Sequence, residues 1–106
     1  MKYNKKEKNY WDLKKVTNKL RVSHYPNIPC IPFSVEVKDE EQAHFLINTL
    51  AEQHLFLFNN KFIPDYSNAI IVEMLDDDGE GTYDWVNYWN EEEEMEWVEL
   101  AETYFK

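Results

Sequence analysis

Carboxylates dominate the residues of this chain that could do chemistry. Between Glu73 and Glu102 there are thirteen Asp and Glu residues and no Lys or Arg. A catalytic carboxylate needs a desolvated setting that shifts its pKa, and a run such as Glu91–Glu94 predicts a solvated one instead. The two glycines, in the sequence Gly79-Glu80-Gly81, lie among acids that repel phosphate. The pattern therefore predicts that the chain is not an enzyme and that it takes no cofactor.

The closest match to a metal motif lies in the same acidic region. Five residues fit positions 1, 3, 5, 6 and 9 of a twelve-residue calcium loop: Asp76, Asp78, Glu80, Gly81 and Asp84. Position 12 is Asn87, where a bidentate Glu is expected, and the preceding residues are predicted to form a strand rather than a helix. We therefore predict no metal site, and keep a calcium-binding loop at residues 76–87 as a remote alternative.

The elements that must position these carboxylates begin with a basic segment. Residues 1–21 hold eight bases and two acids. A basic helix over about residues 4–20 is predicted by four residues at helical spacing: Tyr10, Leu13, Thr17 and Leu20. Three prolines between residues 23 and 32 predict an extended connector. The expected division is therefore a basic N-terminal arm (1–22), a Pro-rich connector (23–32) and an acidic domain (33–106).

The acidic domain combines strand and helix patterns. Alternation over residues 31–37 predicts a half-buried strand. Asp39, with Gln42 three residues later, predicts the start of a helix that runs to about His54. Residues 54–63 could extend this helix, or residues 55–58 and 61–63 could form a hairpin around Asn59-Asn60, which we favour. An apolar run over residues 69–75 predicts another strand.

The last segment, about Tyr83 to Phe105, is predicted to be one acidic helix about 34 Å long. Its carboxylates would then stand about 5–6 Å apart along one face. The whole pattern indicates an α+β fold, in which a small two- to four-stranded sheet packs against helices, with a basic helix at one end and an acidic helix at the other. The basic arm is expected to fold back on the acidic helix, with direct nucleic-acid contact or a disordered arm as the alternatives.

Charge segregation of this kind is informative about binding partners. The chain has a formal charge of −10, and a dense acidic surface attracts a basic protein surface while it repels nucleic acid. Partner-binding residues are expected to be the acids and two tryptophans of this region: Asp76, Asp77, Asp78, Glu80, Asp84, Trp85, Trp89, Glu91, Glu92, Glu96 and Glu99. The longest apolar runs are four residues and there is a single cysteine, so we expect a cytoplasmic protein without a membrane span.

In size, acidity and low glycine content, the chain resembles small phage-encoded inhibitors that block host nucleases, glycosylases or CRISPR effectors, several of which imitate DNA. The resemblance is compositional and carries over no functional residue. It implies an inhibitor whose row of carboxylates occupies the basic cleft of a nucleic-acid-binding protein. The alternative from another class is an adaptor or structural module that binds its partner through aromatic side chains rather than charge.

Overall fold

The computed structural model describes residues 10–25, 31–62, 69–77 and 79–105. They form two helices, a four-stranded sheet and a two-stranded sheet, so the predicted α+β fold is confirmed. In chain order the elements are β1 (Leu20–Tyr25), β2 (Phe33–Val37), α1 (Glu40–Asn59), β3 (Ala69–Asp77), β4 (Tyr83–Asn87), β5 (Trp89–Asn90), β6 (Met95–Glu96) and α2 (Trp97–Tyr104).

The larger sheet is antiparallel, with the strand order β2-β1-β3-β4. One of its faces carries Leu20, Val22 and Val72, which pack in the core with Ala43 of α1 and Leu100 of α2. The opposite face carries Arg21 and Ser23, which alternate with these apolar residues along β1. The two helices therefore lie against the same face of the sheet.

The predicted N-terminal helix is wrong for the described residues 10–20. Only Tyr10–Asp12 form a helical turn, of the 3-10 type, and Leu20 begins a central strand. Residues 20–25 alternate between the two faces of the sheet, and pairing with both β2 and β3 satisfies their backbone groups. Pairing with these two strands therefore determines the structure of residues 20–25, although the local spacing of apolar residues predicted a helix ending at Leu20. The domain boundaries at residues 22 and 32 stay predictions. Strand β1 extends across the boundary at residue 22. Residues 26–30 of the predicted connector lie outside the described residues.

Helix α1 begins where the sequence predicted and ends later. The Asp39 carboxylate accepts a hydrogen bond from the backbone N–H of Gln42 at 3.0 Å, which confirms the predicted cap. The helix continues to Asn59, so the favoured hairpin at 55–63 is wrong and the alternative of an extended helix is right. Lys61 has a φ of 62°, and its N–H donates to the carbonyl of Phe58, so this segment terminates the helix. Residues 63–68 lie outside the described residues.

The largest correction concerns residues 83–105, which do not form one helix. Tyr83–Asn87 pair with β3 as strand β4, a turn over residues 91–94 joins the short strands β5 and β6, and α2 has only eight residues. Strand pairing explains the first part, because Val86 and Trp85 lie opposite the apolar residues Met74 and Leu75. The strands at 33–37 and 69–77 confirm the predictions for those regions.

Among the described residues, no helix is both long enough and apolar enough to cross a membrane.

Candidate functional site

An acidic groove lies where the N-terminal segment meets β3 and the β5–β6 turn. Its volume is about 370 Å³. Three carboxylates line it, those of Asp76, Glu91 and Glu92, together with Trp89, whose side chain is 45% exposed. All four were among the residues predicted from the sequence. Lys15 lies in the lining as a cation, and its ammonium group is 4.5 Å from the centre of the Tyr10 ring.

Strand register adds a fifth predicted residue beside this groove. Asp84 of β4 lies directly opposite Asp76 of β3 in the antiparallel ladder, and both residues are exposed. Side chains directly opposite in such a pair have Cβ atoms about 4.5–5.5 Å apart, and like charges there repel. A cation brought to this edge of the sheet would relieve that repulsion. The geometry therefore favours a positively charged ligand.

The remaining predicted residues lie outside the groove lining. Glu96 lies opposite Trp89 in the β5–β6 ladder, and Glu99 lies on α2. Asp77 ends β3, opposite Tyr83, where its carboxylate accepts a hydrogen bond from the N–H of Gly79 at 2.8 Å. Glu80 is exposed in the loop that leads to β4, and Asp78 lies outside the described residues. The expected single row of carboxylates along one helix is therefore wrong.

Trp85 has a different environment from the other predicted residues. It lies on the face of the sheet that carries Arg21, whose guanidinium carbon is 4.5 Å from the centre of the indole ring. The Nε of Arg21 is 2.7 Å from a carboxylate oxygen of Glu73. The hydroxyl of buried Ser23 donates to the same oxygen at 2.7 Å. Trp85 therefore belongs to an internal cation–π and ion-pair cluster rather than to the acidic groove.

Beneath the groove lies a polar network that the sequence did not reveal. The Glu40 side chain is fully buried, and one of its oxygens accepts hydrogen bonds from the Tyr88 hydroxyl at 2.7 Å and the Val16 N–H at 3.0 Å. Glu40 is the first residue of α1, where the positive end of the helix dipole stabilises a carboxylate. Burial and the hydrogen bond to Glu40 raise the pKa of Tyr88, so the phenol stays a donor.

Asn90 connects this network to the turn that carries Glu91 and Glu92. Its buried amide donates to the Lys14 carbonyl at 2.7 Å and to the Tyr88 hydroxyl at 3.0 Å, while its side-chain oxygen accepts from the Glu93 N–H at 2.9 Å. Asn often bonds to the backbone beside a turn, which was the one available sequence signal for this role. The network therefore fixes the turn that presents the groove carboxylates.

Glu93 joins the network to both ends of the described chain. Its carboxylate accepts hydrogen bonds from the Lys14 N–H at 2.9 Å and from the Tyr104 hydroxyl at 2.6 Å. Burial and the bond to Glu93 raise the pKa of Tyr104 to about 12. In described residues 10–19, the N-terminal segment thus packs on the body, although the basic helix and the long acidic helix expected to meet there do not form. The contact uses a backbone N–H of Lys14 rather than its ammonium group, and residues 1–9 lie outside the described residues.

The structure also bears on the calcium alternative at residues 76–87. Asp76 and Asp84, the proposed first and ninth ligands, lie opposite each other in a strand ladder instead of wrapping around a common centre. Strands flank this loop on both sides, where the motif requires helices. The strand pairing therefore argues against a calcium loop here, although Asp78, one of the proposed ligands, lies outside the described residues. Across the described ranges, no three His, Cys, Asp or Glu residues are grouped to hold a metal ion.

The fold and the groove define the class as a small α+β protein with a segregated acidic surface. Residues 19–106 match the family described as superinfection exclusion gene product 17, and the chain belongs to that family. It is 41% identical over 59 residues to a superinfection exclusion protein of Salmonella phage P22. That match covers 56% of this chain, and the chain spans about 57% of the length of this curated relative. No solved structure matches the chain.

Proposed function

We propose that the chain contributes to superinfection exclusion by binding rather than by catalysis: its acidic groove takes a basic protein surface and blocks the activity of that surface. The observation that carries this proposal is the convergence of Asp76, Glu91 and Glu92 around the exposed Trp89. The surrounding sequence, from Glu73 to Glu102, contains no Lys or Arg, and Lys15 of the N-terminal segment is outnumbered by the three carboxylates of the lining. Membership of a phage exclusion family supports an inhibitory role.

The expected interaction is collective and sensitive to salt. An exposed ion pair contributes about 0–1 kcal/mol, so no single carboxylate of the groove should dominate binding. Several together give a negative field that steers a cationic surface and is screened over about 8–10 Å at 0.10–0.15 M salt. Trp89 adds a large, half-exposed aromatic surface of the kind that concentrates binding energy at protein interfaces.

The narrower form of the proposal is nucleic-acid mimicry, in which the partner surface is a cleft built for nucleic acid. The dense negative charge supports mimicry. The 34 Å helical row of carboxylates, on which the sequence-based hypothesis of mimicry rested, does not form. Competition tests the narrower form directly. Duplex DNA should displace the protein from its partner if both occupy one cleft, and should leave the complex intact if the basic surface lies elsewhere.

Charge reversal in cells tests the proposed function. The groove variant carries Asp76→Lys, Glu91→Lys and Glu92→Lys; the matched control carries Glu52→Lys, Glu99→Lys and Glu102→Lys, three exposed acids outside the groove lining. Both variants change the net charge equally, and the control includes an acid of the originally predicted row. We expect cells that produce the groove variant to admit a second phage, and cells with the control to exclude it as the natural sequence does.

Far-ultraviolet circular dichroism and thermal melting should first show that both variants fold. This control is needed because Asp76→Lys changes a cross-strand pair, with Asp84, and therefore changes stability. Equal exclusion by the groove variant and the natural chain would refute the acidic-groove proposal. Affinity capture from host lysate at 0.05 M and 0.3 M salt adds a second measurement. A partner that binds the natural chain and the control at low salt, and not the groove variant, would support the proposal.

An aromatic adaptor is the second candidate function, and one observation favours it. Helix α1 exposes aromatic rings along its outer surface, with Phe45 at 70% and Phe56 at 58% exposure, and Phe62 just beyond the helix at 69%. A partner held by these rings would bind with nearly the same affinity at both salt concentrations, because apolar contacts are not screened. Binding that persists in the groove variant and disappears in Phe56→Ala would therefore support the adaptor.

A further inference from the structure

A second groove lies beside the first two turns of α1, separate from the acidic groove. Its volume is about 590 Å³, and its lining combines aromatic rings with the carboxylates of Asp39 and Glu41. The His44 ring stacks on Phe105 at a centroid distance of 4.5 Å and an interplanar angle of 11°, which joins α1 to the residue after α2. Phe45, 70% exposed, adds a ring that is open to a ligand.

The charges around these rings favour a cation. Asp39 is held in place because its carboxylate caps α1, and Glu41 is an exposed residue of the first helical turn. Lys38 is the cation of the lining, so the two carboxylates outnumber it. Burial lowers the pKa of His44, so its ring is neutral at pH 7 and does not oppose a positive ligand. Flat rings beside carboxylates match a guanidinium, which stacks on aromatic faces and donates in a fork to carboxylates.

The chain itself contains this chemistry on the opposite face of its sheet. Arg21 stacks over Trp85 at 4.5 Å while its Nε contacts Glu73 at 2.7 Å. In this protein, one arginine side chain thus contacts an aromatic ring and a carboxylate at the same time. The groove at Phe45 offers the same two partners with no arginine of the described residues in its lining.

We propose that the groove beside Phe45 binds an arginine side chain of a basic partner segment, with the guanidinium stacked on Phe45 and paired with Glu41. This proposal takes one assumption from the proposed function, namely that the partner is positively charged. It adds a preference for arginine over lysine that the proposed function does not require, because the collective negative field of the acidic groove attracts either cation.

The test uses three peptides of one design, acetyl-Gly-Arg-Gly-Arg-Gly-amide and its lysine and citrulline counterparts. Binding is followed by amide chemical shifts in two-dimensional nuclear magnetic resonance spectra of the full chain. We expect the arginine peptide to shift the amides of His44, Phe45 and Asn48. The lysine peptide should bind about 3- to 5-fold more weakly, since it keeps the charge and loses the stacking. Neutral, isosteric citrulline should bind at least about 10-fold more weakly.

Matched variants on α1 localise the effect. Phe45→Ala and Glu41→Gln should each weaken arginine binding about 3- to 10-fold, whereas Phe56→Ala and Glu52→Gln, exposed positions outside the groove lining, should not. Equal affinity for citrulline, or shifts confined to Trp89, Glu91 and Glu92, would overturn the arginine site. So would concentration-dependent shifts at Phe45 without peptide, which would show that a second copy occupies the groove.

The two proposals fail separately. If Phe45→Ala loses the arginine peptide and still excludes phage, the site exists but exclusion does not need it. If the acidic-groove variant loses exclusion and still binds the arginine peptide at Phe45, both proposals stand. If both variants still exclude phage while the natural chain binds the arginine peptide at Phe45, the proposed function is refuted and the arginine site stands.

Discussion

The hydroxyl of Tyr88 donates a 2.7 Å hydrogen bond to the carboxylate of Glu40, and both side chains are buried. The two residues are 48 positions apart in sequence, so this bond joins the start of α1 to the segment between β4 and β5. The same carboxylate oxygen accepts a hydrogen bond from the backbone N–H of Val16. A single buried acid therefore connects three separate segments of the chain, and the interior depends on its hydrogen bonds.

Tyr88→Phe should destabilise the protein by about 1–3 kcal/mol, because it removes a donor from a buried carboxylate and leaves the rest of the packing intact. Urea unfolding followed by circular dichroism measures the change. Tyr83→Phe is the matched control, since the Tyr83 side chain is 59% exposed, and it should leave the midpoint within error. Equal midpoints for both variants would show that the Tyr88–Glu40 bond contributes no net stability.

Asn90→Ala should cost more, about 2–4 kcal/mol, because three hydrogen bonds converge on that buried amide. Its local effect should be faster hydrogen exchange at the Glu93 amide, which loses its acceptor. Asn87→Ala, at the exposed end of β4, is the control and should change neither quantity appreciably. Unchanged exchange at Glu93 in Asn90→Ala would mean that the β5–β6 turn is held by other contacts.

Stability should fall in the alkaline range because of Tyr104. Its pKa is raised to about 12 in the folded state, mainly by burial and then by the hydrogen bond to Glu93, against an ordinary value of about 10. Below pH 10 the phenol is neutral in both states and its contribution is complete. Between pH 10 and 12 the unfolded chain releases the proton first, so the free energy of unfolding decreases.

Thermal melts of the natural chain and Tyr104→Phe from pH 8 to 12 test this linkage. The melting temperature of the natural chain minus that of Tyr104→Phe should be constant up to about pH 10. It should then decrease, because the natural chain loses the stability that the neutral Tyr104 contributes. Absorbance titration at 295 nm should show one fewer late-ionising tyrosine in the variant. A difference that stays constant to pH 12 would contradict the raised pKa.

The cap of α1 gives a further prediction. Asp39→Ala removes the acceptor for the Gln42 N–H and should destabilise the protein by about 1 kcal/mol. Asp39→Asn keeps a good capping side chain and should remain close to the natural chain in chemical unfolding. If the two variants were equally destabilised, the charge of Asp39, rather than its hydrogen bond, would be the stabilising feature.

Several elements were predictable because the signals that form them are local. Asp39 and Gln42 set the start of α1, and alternation set β2. Charge segregation is also a property of the sequence, and so is the choice of Asp76, Trp89, Glu91 and Glu92, which the structure brings to one groove. Local signals were insufficient where two structures compete. Residues 55–58 extend a helix through hydrogen bonds of the helix itself, although their aromatic content favours strands.

The sequence by itself determined an acidic α+β protein with its carboxylates in the C-terminal third. Tertiary structure alone decided that residues 20–25 form a central strand, because β3, one of the two strands that pair with β1, lies about 50 positions away. It also divided residues 83–105 into strands, a turn and a short helix, and thereby replaced a row of carboxylates with a groove. The physical reason is that strand pairing and buried polar bonds, such as that of Glu40 with Tyr88, form between distant residues, where local periodicity carries no information.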